Sequence, residues 1–176
     1  MDTIDNKTCV KILHHERVPV HVIRHCVKVS QVACKIGSDL IQKGHGLDMD
    51  IIRAGALLHD IAKIKALKLG GDHAEIGARI LEAQGYERIA RIVRHHVYLP
   101  RPVEKQRHLS EELVVNYADK RVMHTKVVGL EERFADLVAR YGTNKDAMRK
   151  INELYHQARL MEQMIFSRLD LRPEDI

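Results

Sequence analysis

This sequence predicts an all-α fold, a single irregular bundle of about seven or eight helices. Three observations carry that expectation. Apolar residues recur at three- and four-residue spacing in almost every segment, and strict alternation is nearly absent. Gly- and Pro-containing breaks separate the periodic stretches at short intervals. The chain has 176 residues, 45% hydrophobic and 30% charged, enough for one domain with a real core. Aromatics make up only 4% and Trp is absent, so the core must be aliphatic.

The elements follow in order. Residues 8 to 15 form a short first helix. Pro19 suits a helix start, and the next helix runs from about 19 to 37, with Val22, Val29, Val32 and Ile36 on one face and Gly37 as its end. "KGHGLDMD" is a loop in which Asp48 or Asp50 caps a helix over about 49–62. After the break "KLGGDHAE", Asp72 with Glu75 three residues on makes a capping-box-like start to a helix ending near Gln84. "YERIARIVRHHV" is the next helix, and "YLPRPVEKQRH" with Pro100 and Pro102 is a loop. Ser110, followed by Glu111 and Glu112, starts a helix through about His124. "LEERFADLVARYG" closes at Gly142, and a long final helix covers 144 to about 168. Its stripe of Met148, Met161 and Met164 packs either on its own core, the favoured expectation, or on a second subunit as a homodimer. The chain divides into an N-terminal helical extension (1–17), a central core (18–125) and C-terminal helices on the same domain (126–176).

Bulk features narrow the function classes. The net charge of +5 suits an anionic partner such as a phosphorylated small molecule or nucleotide, although a solvated basic surface explains it equally. No basic run and few aromatics argue against nucleic acid. Three cysteines with no C-x-x-C pair read as reduced, buried thiols. "MDTIDNKTCV" has no apolar signal region and no stretch approaches the length of a membrane span, so a cytoplasmic protein is expected.

The informative count is 12 histidines. In "GALLHDIAKIKAL" an apolar helix is interrupted by His59 and Asp60 side by side, with Lys63 one turn later. Burying an ionisable pair costs several kcal/mol unless it is paired or binds a metal. His25 shares a face with Val22, Val29 and Val32; His73 follows the capping Asp72; His95 and His96 end an amphipathic helix; Asp119 borders an apolar face. Each alone has an ordinary explanation. Their order, His25, His59-Asp60, His73, His95-His96, Asp119, each on its own helix, is more specific. Imidazole and carboxylate ligands suit one or two divalent ions (Mn, Fe, Co, Ni, Zn or Mg), with no thiolate demanded.

With its upstream His and distant Asp, "LLHDIAK" resembles the HD superfamily of metal-dependent phosphohydrolases in its HDIG-type small-domain form, over about residues 17 to 124. The segments "HAEIGARIL" and "ADK" are similar to HD domains attached to molybdopterin cytidylyltransferase-like enzymes. The resemblance implies an HD-type bundle in which His25, His59, Asp60 and Asp119 hold one ion. It also implies that Asp60 bridges to a second ion on His73 and on His95, His96 or both. The G-Y-P motif of the cyclic-di-GMP phosphodiesterase branch is missing from "HHVYLPRP". A binuclear branch acting on diadenosine tetraphosphate has the same ligand order, but carries Thr where this chain has His96.

The activity so implied is hydrolysis of a phosphate ester or anhydride by a metal-activated water, with Asp60 and Lys63 as the catalytic candidates. Lys63 would bind the phosphate, or else complement a helix dipole. Lys120 and Arg121 are weaker phosphate candidates, explained as well by surface salt bridges. The alternative is a non-catalytic nucleotide- or metal-binding signalling module.

Overall fold

Five of the helices begin with a side chain that accepts from the first turn, satisfying donors a helix start leaves free. Asp5 accepts from Thr8 N at 2.7 Å, Asp48 from Asp50 N and Ile51 N, Asp72 from Ala74 N, Ser110 from Leu113 N, and Asn144 from Ala147 N. The computed structural model describes residues 4–176; the first three residues of the N-terminal stretch read above lie outside it. Among the described residues there are nine α-helices: α1 (Asn6–His15), α2 (Val20–Gln42), α3 (Met49–Leu58), α4 (Lys63–Leu69), α5 (His73–Glu82), α6 (Glu87–His95), α7 (Glu111–Lys120), α8 (Leu130–Tyr141) and α9 (Lys145–Phe166).

Three boundaries differ from the sequence reading, each for a physical reason. The second helix does not stop at Gly37 but runs on to Gln42. Gly37 is there for close approach: a Cβ at this position would stand 2.8 Å from Ile52 Cδ1, so α3 packs directly onto the α2 backbone. The helix starting at Met49 ends at Leu58, and His59 to Ala62 turn before α4 begins. That break accounts for one helix more than expected. The helix from Ser110 ends at Lys120, and a two-stranded antiparallel hairpin follows, β1 (Val122–Met123) with β2 (Lys126–Val127). His124 in its turn has φ 57°, which is uncommon for a residue with a side chain.

The core is aliphatic, as the composition requires. Leu40, Ile52, Leu58, Leu81, Ile89, Leu113 and many others are fully buried. α2, α3 and α7 pack together at the centre, α5 and α6 pair beside them, and α8 and α9 form a hairpin whose second arm lies on α7. Met161, with Ile151, Ala158 and Ile165, turns the apolar stripe of α9 into this same cluster. Side chains of α1 join it too. The three thiols are free, Cys9 and Cys26 buried and Cys34 partly so, and burial pushes the Cys9 thiol up to about 11. No helix of the described residues is long and apolar enough to cross a membrane.

Candidate metal centre

Two histidines are aimed by their own helices. His59 and His96 follow the last residues of α3 and α6, where backbone carbonyls lack helical partners. His59 Nδ1 donates to Ala56 O at 2.8 Å and His96 Nδ1 to Val93 O at 2.6 Å, each three residues back. In each ring this leaves Nε2 with its lone pair facing inward. His25, from the middle of α2, takes its orienting carbonyl from far away: Nδ1 donates to His124 O at 2.9 Å. The left-handed backbone of His124 turns that carbonyl towards α2.

Two groups of ligand atoms result, and Asp60 stands between them. On one side, Asp60 Oδ2 lies 3.6 Å from His59 Nε2 and 3.9 Å from His25 Nε2. Asp119 Oδ1 completes that side at 3.0 Å from His25 Nε2 and 3.5 Å from His59 Nε2. On the other side, Asp60 Oδ1 lies 3.5 Å from His73 Nε2 and 3.7 Å from His96 Nε2. The His73 and His96 Nε2 atoms are 3.0 Å apart. Ligand bonds of about 2.1 Å make edges of roughly 3.0–3.4 Å between neighbouring ligand atoms, so both groups are close to what a single cation spans.

One observation tests whether the residues fit a cation. His59 Nε2 is completely buried and has no hydrogen-bond partner among the described residues. An orphaned buried nitrogen costs about 1–3 kcal/mol, and a cation coordinated by its lone pair removes that cost. The electrostatics point the same way. Burial would push the Asp60 carboxyl up, but His59, Lys63 and His96 outweigh it and hold it well below the usual carboxylate range. Burial likewise opposes ionisation of Asp119, and its hydrogen bond to His25 together with the nearby His59 ring holds it well below that range. Around His59, Cys26, Asp60 and Asp119 favour positive charge strongly enough to outweigh burial, and a coordinated cation would supply that charge in place of a proton. Burial pushes His96 down to about 3 and lowers His73 as well, which keeps both imidazoles in the neutral, ligating form.

The other expected site residues divide. Lys63 opens α4 and its Nζ donates to Asp60 Oδ2 at 2.6 Å, while 44% of its side chain stays exposed at the rim. The structure brings His96 into the centre and leaves His95 out: the His95 ring belongs to neither ligand group, and its carbonyl accepts from Asn116 Nδ2 at 2.7 Å. Lys120 and Arg121, the weaker phosphate candidates, are buried and are not surface ion pairs. Lys120 is buried and donates to Val97 O at 3.2 Å and Asn116 Oδ1 at 2.5 Å. Arg121 is buried and donates to Val128 O, Tyr117 Oη and Pro173 O, which fastens the C-terminal end to α7.

Sequence reasoning missed the carbonyls of Ala56, Val93 and His124. The first two carried a signal: a histidine just past a helix end has an unpaired carbonyl three residues upstream. The third depends on a hairpin that no local pattern announced.

A family model described as the HD domain matches residues 22–123. An uncharacterized protein of Methanocaldococcus jannaschii is 29% identical over 143 residues, covering 74% of this chain and 83% of that protein. A tRNA (cytidine(56)-2'-O)-methyltransferase of Picrophilus torridus is 30% identical over 167 residues, 87% of this chain, which therefore spans only 46% of that enzyme. A ribonuclease Y of Pseudothermotoga lettingae is 38% identical over 78 residues, 43% of this chain and 14% of that protein. Among solved structures, a predicted HD superfamily hydrolase from an uncultured Thermotogales bacterium superposes with a TM-score of 0.51 and 20% identity. It covers 92% of this chain and 91% of its own, a likeness of fold.

Proposed function

Because this chain belongs to the HD-domain family, we propose that it is a metal-dependent phosphohydrolase that cleaves a phosphate ester or anhydride of a nucleotide or nucleotide-like small molecule. The observation that carries this reading is the division of the Asp60 carboxylate, one oxygen to each ligand group. His25, His59, Asp60 and Asp119 would hold one cation, and Asp60, His73 and His96 a second. Bound divalent ions at such a centre lower the pKa of water and neutralise phosphoryl oxygens.

The chain's own residues supply the rest. The three Nδ1–carbonyl bonds hold the rings of His25, His59 and His96 in one tautomer and one direction. Asp60 is held in its ionised form, and it would bridge the two cation positions and orient the groups around them. The Lys63 ammonium, tethered to Asp60 and open to solvent, is placed to meet a phosphoryl oxygen at the rim.

The test is metal analysis followed by hydrolysis assays on phosphate esters and anhydrides with each candidate ion. Asp60→Ala should lose bound metal and turnover together. If it keeps full metal content and full turnover, the mechanism is wrong. A second reading places the scissile bond in RNA. It draws support from the named relatives, two kinds of which are ribonuclease Y and a tRNA-modifying enzyme, and from Arg101, Lys105 and Arg107 around a concave surface after α6. RNA cleavage with a steep salt dependence would select it.

A further inference from the structure

The C-terminal end of α6 is held by α7 through two buried polar side chains. Asn116 Nδ2 donates to His95 O at 2.7 Å. Lys120 Nζ donates to Val97 O at 3.2 Å, to His96 O at 3.4 Å and to Asn116 Oδ1 at 2.5 Å. The carbonyls of three successive residues, His95, His96 and Val97, are therefore met by one amide–ammonium pair. Asn116 is 1% exposed and Lys120 is 6% exposed. Among the described residues no carboxylate lies within salt-bridge distance of Lys120 Nζ; carbonyl dipoles at a helix C-terminus take its charge instead.

A buried lysine is a costly way to fill space, since its charge leaves water without a paired anion. What it gains is position. The middle of the three tethered residues is His96, and Asn116 and Lys120 flank Asp119 on the same helix. α7 thus sends one carboxylate to the first ligand group and, from the neighbouring positions, grips the backbone that carries a ligand of the second.

We infer that Asn116 and Lys120 are positioning residues that set where His96 stands relative to Asp60, so that the second cation position depends on them and the first does not. The inference rests on the two-ion reading above. Neither residue belongs to a ligand group.

The experiment is a titration of the chelator-stripped full-length protein with Mn2+, by calorimetry and by metal analysis after dialysis. Wild type should bind two ions. Lys120→Met should weaken the second by about tenfold or more, the usual scale for partners of metal ligands, and leave the first within twofold. Asn116→Ala should act in the same direction, and it decides the matter if Lys120→Met does not fold. Exchange-coupled Mn2+ pairs seen by electron paramagnetic resonance in wild type should be replaced by isolated ions in the variants. Equal weakening of both ions, or no weakening of either, overturns the positioning role. Wild type that binds only one ion overturns it too, and wild type that binds none overturns the metal centre itself.

Discussion

Gly55 in α3 and Ile92 in α6 each lie one turn before a ligand, His59 and His96 respectively. A Cβ at position 55 would stand 2.6 Å from Ile92 Cδ1, 2.7 Å from its Cγ2 and 3.0 Å from its Cβ. Carbon atoms rest at about 3.5–4.0 Å, so Gly55→Ala must push the two helices apart by roughly 1 Å. Overpacking of this kind costs about 1–3 kcal/mol. The better helix propensity of Ala returns about 1 kcal/mol. The expected net loss is up to about 2 kcal/mol, and at about 2–4 °C per kcal/mol for a chain of this size Tm should fall by up to about 8 °C. In an Ile92→Ala background the sign should reverse. That background is itself less stable by about 2–5 kcal/mol. Only the 3.0 Å contact to the residue-92 Cβ survives there. It needs a shift of a few tenths of an ångström, so adding Gly55→Ala should raise Tm. Thermal and urea unfolding of the four proteins measures this coupling. If Gly55→Ala shifts stability with the same sign in both backgrounds, the close approach of α3 and α6 is not what demands glycine.

Four further outcomes are expected. His96→Ala should halve bound metal while His95→Ala leaves stoichiometry unchanged; metal analysis showing the reverse would put the wrong histidine in the centre. Lys63→Ala should lower turnover at least tenfold with metal content intact, and a variant that turns over normally would remove Lys63 from substrate contact. His124→Gly keeps the carbonyl that orients His25 and relieves a backbone cost of about 1–2 kcal/mol, so metal affinity should hold and Tm should not fall; loss of affinity would give the His124 ring a part not described above. A free metal concentration 100 times the Kd of the weaker site should stabilise the wild type by at least about 2.7 kcal/mol for each ion bound, read as a rise in Tm that chelator reverses.

Much of the centre was legible in the order of residue types. His25, His59, Asp60, His96 and Asp119 stood out because each put a polar group on or beside an apolar helical face, and His73, just after the capping Asp72, stood out only through its place in that order. The choice between His95 and His96 was not legible, since neighbouring residues differ by about 100° around a helix and only the packing of α6 on α3 and α5 decides which ring turns in. The break after Leu58 was missed because "GALLHDIAKIKAL" holds neither Gly nor Pro past His59. The turn instead coincides with the two residues that enter the centre, His59 and Asp60. Lys120 and Arg121 misled for a related reason: charge predicts solvent, and nothing local shows that helix-end carbonyls and a C-terminal tail will receive them. The helix after Ser110 was drawn too long because "RVMHTKVV" holds no Gly or Pro to mark a tight turn, and His124 supplies the positive φ itself.

The orienting bonds of the three rings differ in reach. Those of His59 and His96 close within a single turn of chain, whereas His25 finds its carbonyl 99 residues away and its carboxylate partner Asp119 94 residues away. The group built on His73 and His96 is accordingly assembled from the middle of the chain. The group built on His25 exists only when α2 and the hairpin after α7 have met. If the hairpin loosens while α7 keeps its grip on the end of α6, the first group should open while the second still stands. The two halves of one centre would then report on different stages of unfolding.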